Sequence, residues 1–348
     1  MDTHSGMKQW KRELPLRSKR TMNEIKIMDI DGFHIGNEQN TAAGTGWTVI
    51  ICEAGAIAGV DVRGGSPGTR ETDALNPCSH GQTIHAVSLA GGSAFGLDAA
   101  GGVMRFLEEK GVGRDVAVTK VPIVCSAILF DLKCGDYRIR PDQQMGYDAC
   151  CNAYSELPKE GNIGAGTGAT LGKTKGAAFA MKGGLGMVGY QVGALKVGAI
   201  MAVNCVGDIF SQQENRLIAG VLRDDKKSLA GTEEIMLGNY EDKTDFFSGN
   251  TIIGTVITNA KLDKPQANKL ASVSHNGIAR AVRPAHTDFD GDTIFTMATG
   301  EVDASPDVVG IMAARAVEQA IINAVKKAET AYGYTAYQEL EDESNGRA

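Results

Sequence analysis

The chain has 348 residues, of which 43% are hydrophobic and 22% charged, with a net charge of −7; this is the balance of a soluble globular protein with one large or two intimately packed domains. No basic stripe interleaved with aromatics is present, which argues against a nucleic-acid partner, and no 18 apolar residues run uninterrupted, which argues against a membrane span. Seven cysteines, an odd number with no CxxC spacing, give neither a disulfide framework nor a zinc site and fit a reducing cytoplasm.

Residues 1–24 carry a basic cluster (Lys8, Lys11, Arg12, Arg17, Lys19, Arg20) with no apolar signal core behind it, and read as a disordered extension to a single domain spanning 25–332. Trp47 to Glu53 and His85 to Ala90 read as strands. Ser93 then reads as the cap of a helix from Ala94 to Lys110, with Phe95, Val103, Phe106 and Leu107 as its apolar positions. Val197 to Val206 is a long apolar strand. Leu222 to Asn250 is polar and loop-like, and it ends abruptly at the strand Thr251 to Thr258. Helices are expected from Asp263-Pro265 to about Val282, and from Ser305-Pro306 to about Ala331. Residues 333–348 read as an acidic tail. The pattern is mixed α/β with helices covering the outer faces of sheets. Glycine is the compositional outlier, with 44 residues, about twice the usual share. The glycines sit inside apolar runs, which predicts tight turns and close backbone approaches.

Several motifs come near a known chemistry and miss it. Thr167 to Thr174 approaches a phosphate-binding loop but has Thr167 where the first glycine must stand. Gly164, Gly166 and Ala169 fit only the loosest dinucleotide fingerprint. Gly91 to Gly96 approaches a nucleophile elbow but has Phe95 at the second glycine. Asp288, Asp290 and Asp292 alternate like a calcium loop, yet Thr293 and Thr299 occupy the positions of its glycine and glutamate. No cofactor or metal is expected.

The Asn250–Thr251 junction is different. A free N-terminal threonine joins a hydroxyl nucleophile to an α-amine that takes up a proton near neutral pH. The same hydroxyl can expose that amine by attacking the preceding carbonyl, and Gly249 lets the backbone bend for such a shift. Read alone, Gly-Asn-Thr before a strand is also a simple turn.

Seven stretches, in order along the chain, resemble the DmpA-type aminopeptidases, the group of L-aminopeptidase/D-esterases, β-peptidyl aminopeptidases and nylon-oligomer hydrolases. They are 56–73 (AIAGVDVRGGSPGTRETD), 89–108 (LAGGSAFGLDAAGGVMRFLE), 161–172 (GNIGAGTGATLG), 181–186 (MKGGLG), 203–208 (VNCVGD), 249–260 (GNTIIGTVITNA) and 286–295 (HTDFDGDTIF). The resemblance implies a four-layer αββα sandwich of the DmpA and ornithine acetyltransferase type. It implies self-cleavage into an α chain, 1–250, and a β chain, 251–348, and a small peptide, amide or ester substrate. It further implies assembly of the processed units into a homo-oligomer, a tetramer. On matching positions Thr251 is the nucleophile, Asn204 the oxyanion donor, Lys173 the active-site lysine and Tyr147 the tyrosine near the scissile carbonyl. Asp290 and Asp292 are the polar pair behind the nucleophile. Read without the resemblance, Asn204 is a satisfied buried amide, Lys173 a surface lysine like Lys175, and the aspartates are turn chemistry around Gly291. An acyltransferase of the ornithine acetyltransferase type, or a binding protein that does not process, are the alternatives to the hydrolase. Substrate preference does not carry over from the resemblance.

Overall fold

The structure, a computed structural model, describes residues 21–81, 83–241 and 249–340. Among these residues ten strands form one continuous sheet. They are β1 (Asn23–Ile25), β2 (His34–Asn40), β3 (Thr45–Val62), β4 (Thr69–Arg70), β5 (Thr83–Ala90), β6 (Val124–Ile128), β7 (Gly184–Val192), β8 (Leu195–Asn204), β9 (Thr251–Ala260) and β10 (Thr293–Val302). The order is β1-β7-β8-β9-β10-β3-β5-β6-β4, with β2 also on β3. The pairs β9–β10 and β5–β6 are parallel and the rest antiparallel.

β3 makes one sheet into two layers. Its first half, to Ile51, pairs with β2 and β5, and its last residues, Ile57 to Val62, pair with β10. The register breaks between Ile51 and Ala56, where Gly55 has φ +79°. Such an irregularity bends a strand and increases its twist. The two limbs of the sheet then face each other. Ile50, Val87 and Leu89 of one limb share a buried cluster with Ile200, Ile253, Ile257 and Phe295 of the other.

Because side chains alternate along a strand, each limb has a second apolar face. Trp47, Val49 and Ile51 pack on α1 (Ala100–Glu109) and α2 (Gln143–Ser155). Val197, Met201, Ile252, Val256 and Ile294 pack under α4 (Lys264–Ala281) and α5 (Pro306–Lys326). The result is a four-layer αββα sandwich whose strands are apolar on both faces, hence the long hydrophobic runs. Glycines set the layer spacing. A Cβ on Gly59 would lie 2.3 Å from Asn268 N on α4, and one on Gly186 would lie 2.1 Å from Ala320 O on α5. By length and composition α5 is apolar enough to cross a membrane. Here that apolarity is explained by its burial on β7, β8 and α4.

Local chemistry fixes the element ends. Asp263 caps α4 through Gln266 N, with Gln266 reaching back in a capping box. α5 stops at Lys326, short of the expected Ala331, because Asn162 captures both the N–H and the carbonyl of Glu329. The helix expected from Ala94 begins as a 3-10 turn, Ser93–Ala99, and Ser93 does not cap it. Both Gly92 and Ser93 have positive φ there. The apolar strand at 197–206 runs from Leu195 to Asn204, where the chain leaves the sheet.

Three boundaries also differ from expectation. Asn23 and Glu24 belong to β1, paired by backbone to Gln191 and Tyr190, a contact that leaves no hydrophobic signal. The polar stretch 222–250 contains the short helix α3 (Thr232–Gly238), and its residues 242–248 lie outside the described residues, as do 1–20. The stretch from 333 is not solvated throughout. Tyr334 and Ala336 are buried, and Thr335 O accepts from Lys182 N. Residues 341–348 lie outside the described residues.

Lys182 organises the glycine-rich segment that leads to the site. It is fully buried, and its ammonium donates to Gly166 O, Ala169 O and Gly183 O at 3.0, 2.9 and 2.9 Å. Lys182→Met removes three buried charge-assisted hydrogen bonds, each worth about 1.5–3 kcal/mol; Gly166 O and Ala169 O keep backbone donors. The expected loss of stability is about 3 kcal/mol or more, read as a lower urea midpoint; an unchanged midpoint would refute the role.

Candidate active site

β9 lies in the middle of the sheet, between β8 and β10, and Thr251 is its first residue, paired with Asn204 at the end of β8. Gly249 precedes it with φ +65°, and a Cβ there would fall 2.0 Å from the Phe130 ring. Glycine is therefore required at 249 on both backbone and steric grounds. Asn250 and Thr251 are buried.

The carbonyls of this turn are each met by donors. Gly249 O accepts from Lys173 Nζ at 3.0 Å and from Asn204 Nδ2 at 3.0 Å. Asn250 O accepts from Gly291 N at 3.1 Å, and the Thr251 hydroxyl also donates to it. The hydroxyl thus lies against the carbonyl of its own peptide bond. Gly291 is close on the other side: a Cβ there would lie 2.8 Å from Thr251 Oγ1.

Asn204 is locked by its surroundings. Its Oδ1 accepts from Thr170 N and Lys173 Nζ, both at 2.9 Å, and its Nδ2 also donates to Phe130 O at 3.1 Å. That pattern fixes which end of the amide is which. Lys173 adds a bond to Asn204 O at 3.1 Å, so its ammonium has three acceptors. Burial pulls Lys173 down to about 7, against the opposing pull of Cys205 and Asp290. Its neighbours do otherwise: Lys175 pairs with exposed Asp224, and Lys182 is spent on backbone carbonyls.

Asp290 and Asp292 come from the loop before β10 and are almost wholly buried. Asp292 Oδ1 accepts from Ile252 N at 2.7 Å, directly behind Thr251; its Oδ2 accepts from His286 Nδ1 at 2.8 Å and His286 N at 3.2 Å. Asp290 accepts from Thr287 N, Thr287 Oγ1 and Val206 N at 3.0, 2.6 and 3.4 Å. It therefore does shape the turn, and it also ties that turn to the end of β8.

Asn204, Lys173 and Asp292 thus hold the peptides on either side of the Asn250–Thr251 bond that Thr251 itself contacts, with Asp290 shaping the adjoining turn. Tyr147 is not among them. It sits on α2 in the outer helical layer, its hydroxyl donating to Glu109 at 2.7 Å and its ring under Arg105. The aromatic ring at the junction is Phe130, which carries no hydroxyl. Sequence reading also missed Thr170, Gly291 and Phe130 as partners, because they act through backbone atoms, to which residue type gives no clue. A cavity of about 50 Å³ adjoins Lys173, lined by Phe130, Cys134, Thr170, Ala177, Ala180 and Tyr334 among others. Larger cavities of about 320 Å³ at α4 and α5 and about 600 Å³ beside Lys264 hold none of the junction residues.

The profile of peptidase family S58 matches residues 25–338. The chain belongs to peptidase family S58. An uncharacterized aminopeptidase of Mycobacterium leprae is 37% identical over 342 residues, covering 89% of this chain and 92% of that protein. A 6-aminohexanoate-oligomer endohydrolase of Paenarthrobacter ureafaciens is 30% identical over 297 residues, covering 83% and 78%. Among solved structures, the L-aminopeptidase D-Ala-esterase/amidase of Ochrobactrum anthropi, described as a variant of the Ntn hydrolase fold, superposes with a TM-score of 0.64 at 19% identity, covering 92% and 93%. The fold of this S58 peptidase is therefore of that type, and the chain is a hydrolase of the aminopeptidase and amidohydrolase group.

Burial, reinforced by the charge of Asp292, raises Asp290 to about 6 in this S58 peptidase. An unfolded aspartate titrates near 3.9. Holding Asp290 ionised therefore costs stability, and the cost grows from about pH 4 and is complete above about pH 6. Asp290→Asn removes this titration while setting an amide NH2 against the Thr287 and Val206 donors, so its gain or loss in unfolding free energy should shift in the variant's favour between about pH 4 and about pH 8. Urea unfolding at both pH values, in the Thr251→Ala background so that the covalent chain is constant, reads this directly; a difference of equal size at both would contradict the assignment.

Proposed function

We infer that this S58 peptidase cleaves its own Asn250–Thr251 bond and then uses Thr251 as the nucleophile of an amide hydrolase. The observation that carries the reading is the contact between the Thr251 hydroxyl and Asn250 O. In the first reaction Thr251 Oγ attacks the Asn250 carbonyl carbon. The negative charge gathers on Asn250 O, where the Gly291 N–H stabilises it. The C–N bond breaks, nitrogen takes up the proton from the hydroxyl, and Asn250 is left as an ester on Thr251. Water opens the ester, giving an Asn250 carboxylate, the free hydroxyl and a new α-amine.

Departure of residues 249 and 250 would leave the amide of Asn204 and the ammonium of Lys173 without the carbonyl they hold. They then bind the carbonyl of a substrate. Thr251 attacks it, with the α-amine or a neutral Lys173 taking the hydroxyl proton. Both groups titrate close enough to neutrality for this, the lysine because of burial. The leaving amine departs protonated, and water hydrolyses the acyl-threonine. Every proton in this route is handled by groups of the chain. The relatives' names, aminopeptidase and 6-aminohexanoate-oligomer endohydrolase, support amide bonds of short chains as substrates. The small cavity beside Lys173 supports a compact group next to the scissile bond.

Intact mass of the purified protein is the test. The expected result is two chains, the smaller beginning Thr-Ile-Ile-Gly. Thr251→Ala should remain uncut and inactive, whereas Thr251→Ser should cut and retain turnover; a Thr251→Ala protein that hydrolyses amides would end the nucleophile assignment. Asn204→Ala is expected to lower kcat about 100-fold or more, and kcat equal to the parent's would remove Asn204 from the mechanism.

A further inference from the structure

We propose that His286 is the positioning residue for the nucleophile, acting through Asp292. This rests on Thr251 being that nucleophile. The Asp292 carboxylate accepts three hydrogen bonds. One is from Ile252 N, the peptide group next to Thr251, and the other two are from His286, by its ring Nδ1 and its backbone N–H. His286 thus supplies both donors that set how Asp292 is turned. Asp292 in turn anchors the first peptide of β9, where Thr251 Oγ1 must be aimed at a carbonyl.

The backbone at His286 has φ +59°, a left-handed conformation that glycine, asparagine, aspartate and histidine adopt more readily than other residues.

The ring's surroundings fix how it binds. Nδ1 carries the proton it donates to Asp292. Nε2 is buried and has no hydrogen-bond partner among the described residues. His275 stands edge-on with ring centroids 4.9 Å apart, and its Nε2–H donates to Asp61 O at 3.0 Å. Its own Nδ1 is likewise buried and without a hydrogen-bond partner. The ring is held from this side as a fixed Nδ1–H donor to Asp292. The arrangement differs from a catalytic base, because the imidazole touches Asp292 and not the hydroxyl.

Two substitutions separate the donor from the backbone. Both glycine and asparagine accept the left-handed φ and keep the backbone N–H, but only asparagine keeps a side-chain N–H in reach of Asp292. The readout is the half-time of self-cleavage, followed by intact mass after cell-free synthesis. His286→Gly should slow it about 100-fold, the scale of a misaimed nucleophile, while His286→Asn should stay within about threefold of the parent. If His286→Gly does not fold cooperatively, His286→Ala answers the same question, with no side-chain donor and no charge added beside Asp292: it should fail where His286→Asn succeeds. Parental rates in the variants that lack a side-chain donor, or equal slowing in His286→Asn, would overturn the proposal. Thr251→Ala run alongside distinguishes the two failures. If that chain is cut, the nucleophile reading fails; if it stays whole while His286→Gly cuts at the parental rate, only the role of His286 fails.

Discussion

Lys173 is buried as a base with three hydrogen-bond acceptors, and meeting that demand shapes the surrounding structure. An ammonium taken out of water is tolerated only when its protons are matched. Here the acceptors come from two sites, the end of β8 and the turn before β9. Asn204 must then be oriented to offer its oxygen to Lys173 and its nitrogen to Gly249 O, which in turn requires Thr170 N and Phe130 O to be where they are. The glycine-rich segment carrying Thr170 and Lys173 is itself held by the carbonyl cage of Lys182. A network of this kind is costly when any member is missing, and that cost ties the site to one conformation.

Beyond Thr251, on the Ile252 side of the junction, the charges have the other sign. Asp290 and Asp292 are close enough for one to raise the pKa of the other, and each is compensated by N–H or hydroxyl donors. The Asn250–Thr251 bond therefore lies between a cationic and an anionic side inside a dry interior. Fields of that sort act strongly where water is excluded.

The layers were legible in the chain because both faces of each strand are buried, so β3, β5, β8 and β9 announce themselves as apolar runs. β1 was invisible, since its pairing uses backbone alone and its residues Asn23 and Glu24 are polar. The bend in β3 was hidden as well: Gly55 marks it, but it is one glycine of 44. At the site, Thr251, Asn204, Lys173 and the two aspartates could be singled out only by resemblance, because nothing in the spacing of residues 173, 204, 251 and 290 says that a sheet brings them together. Tyr147 shows the limit of that method. The resemblance implies a tyrosine at 147, whereas the ring that meets Gly249 is that of Phe130, seventeen positions earlier (147 against 130).

The position of β9 has a mechanical corollary. A strand that pairs along both edges, with β8 on one side and β10 on the other, is interlocked with its neighbours over its whole length. A chain nicked at its first residue would stay together as two complementing fragments, and the fragment starting at Thr251 would also carry α4, β10 and α5. Neither piece could bury its own apolar faces alone. Unfolding of the nicked protein would then release two molecules from one, so that refolding becomes second order and the apparent midpoint falls on dilution.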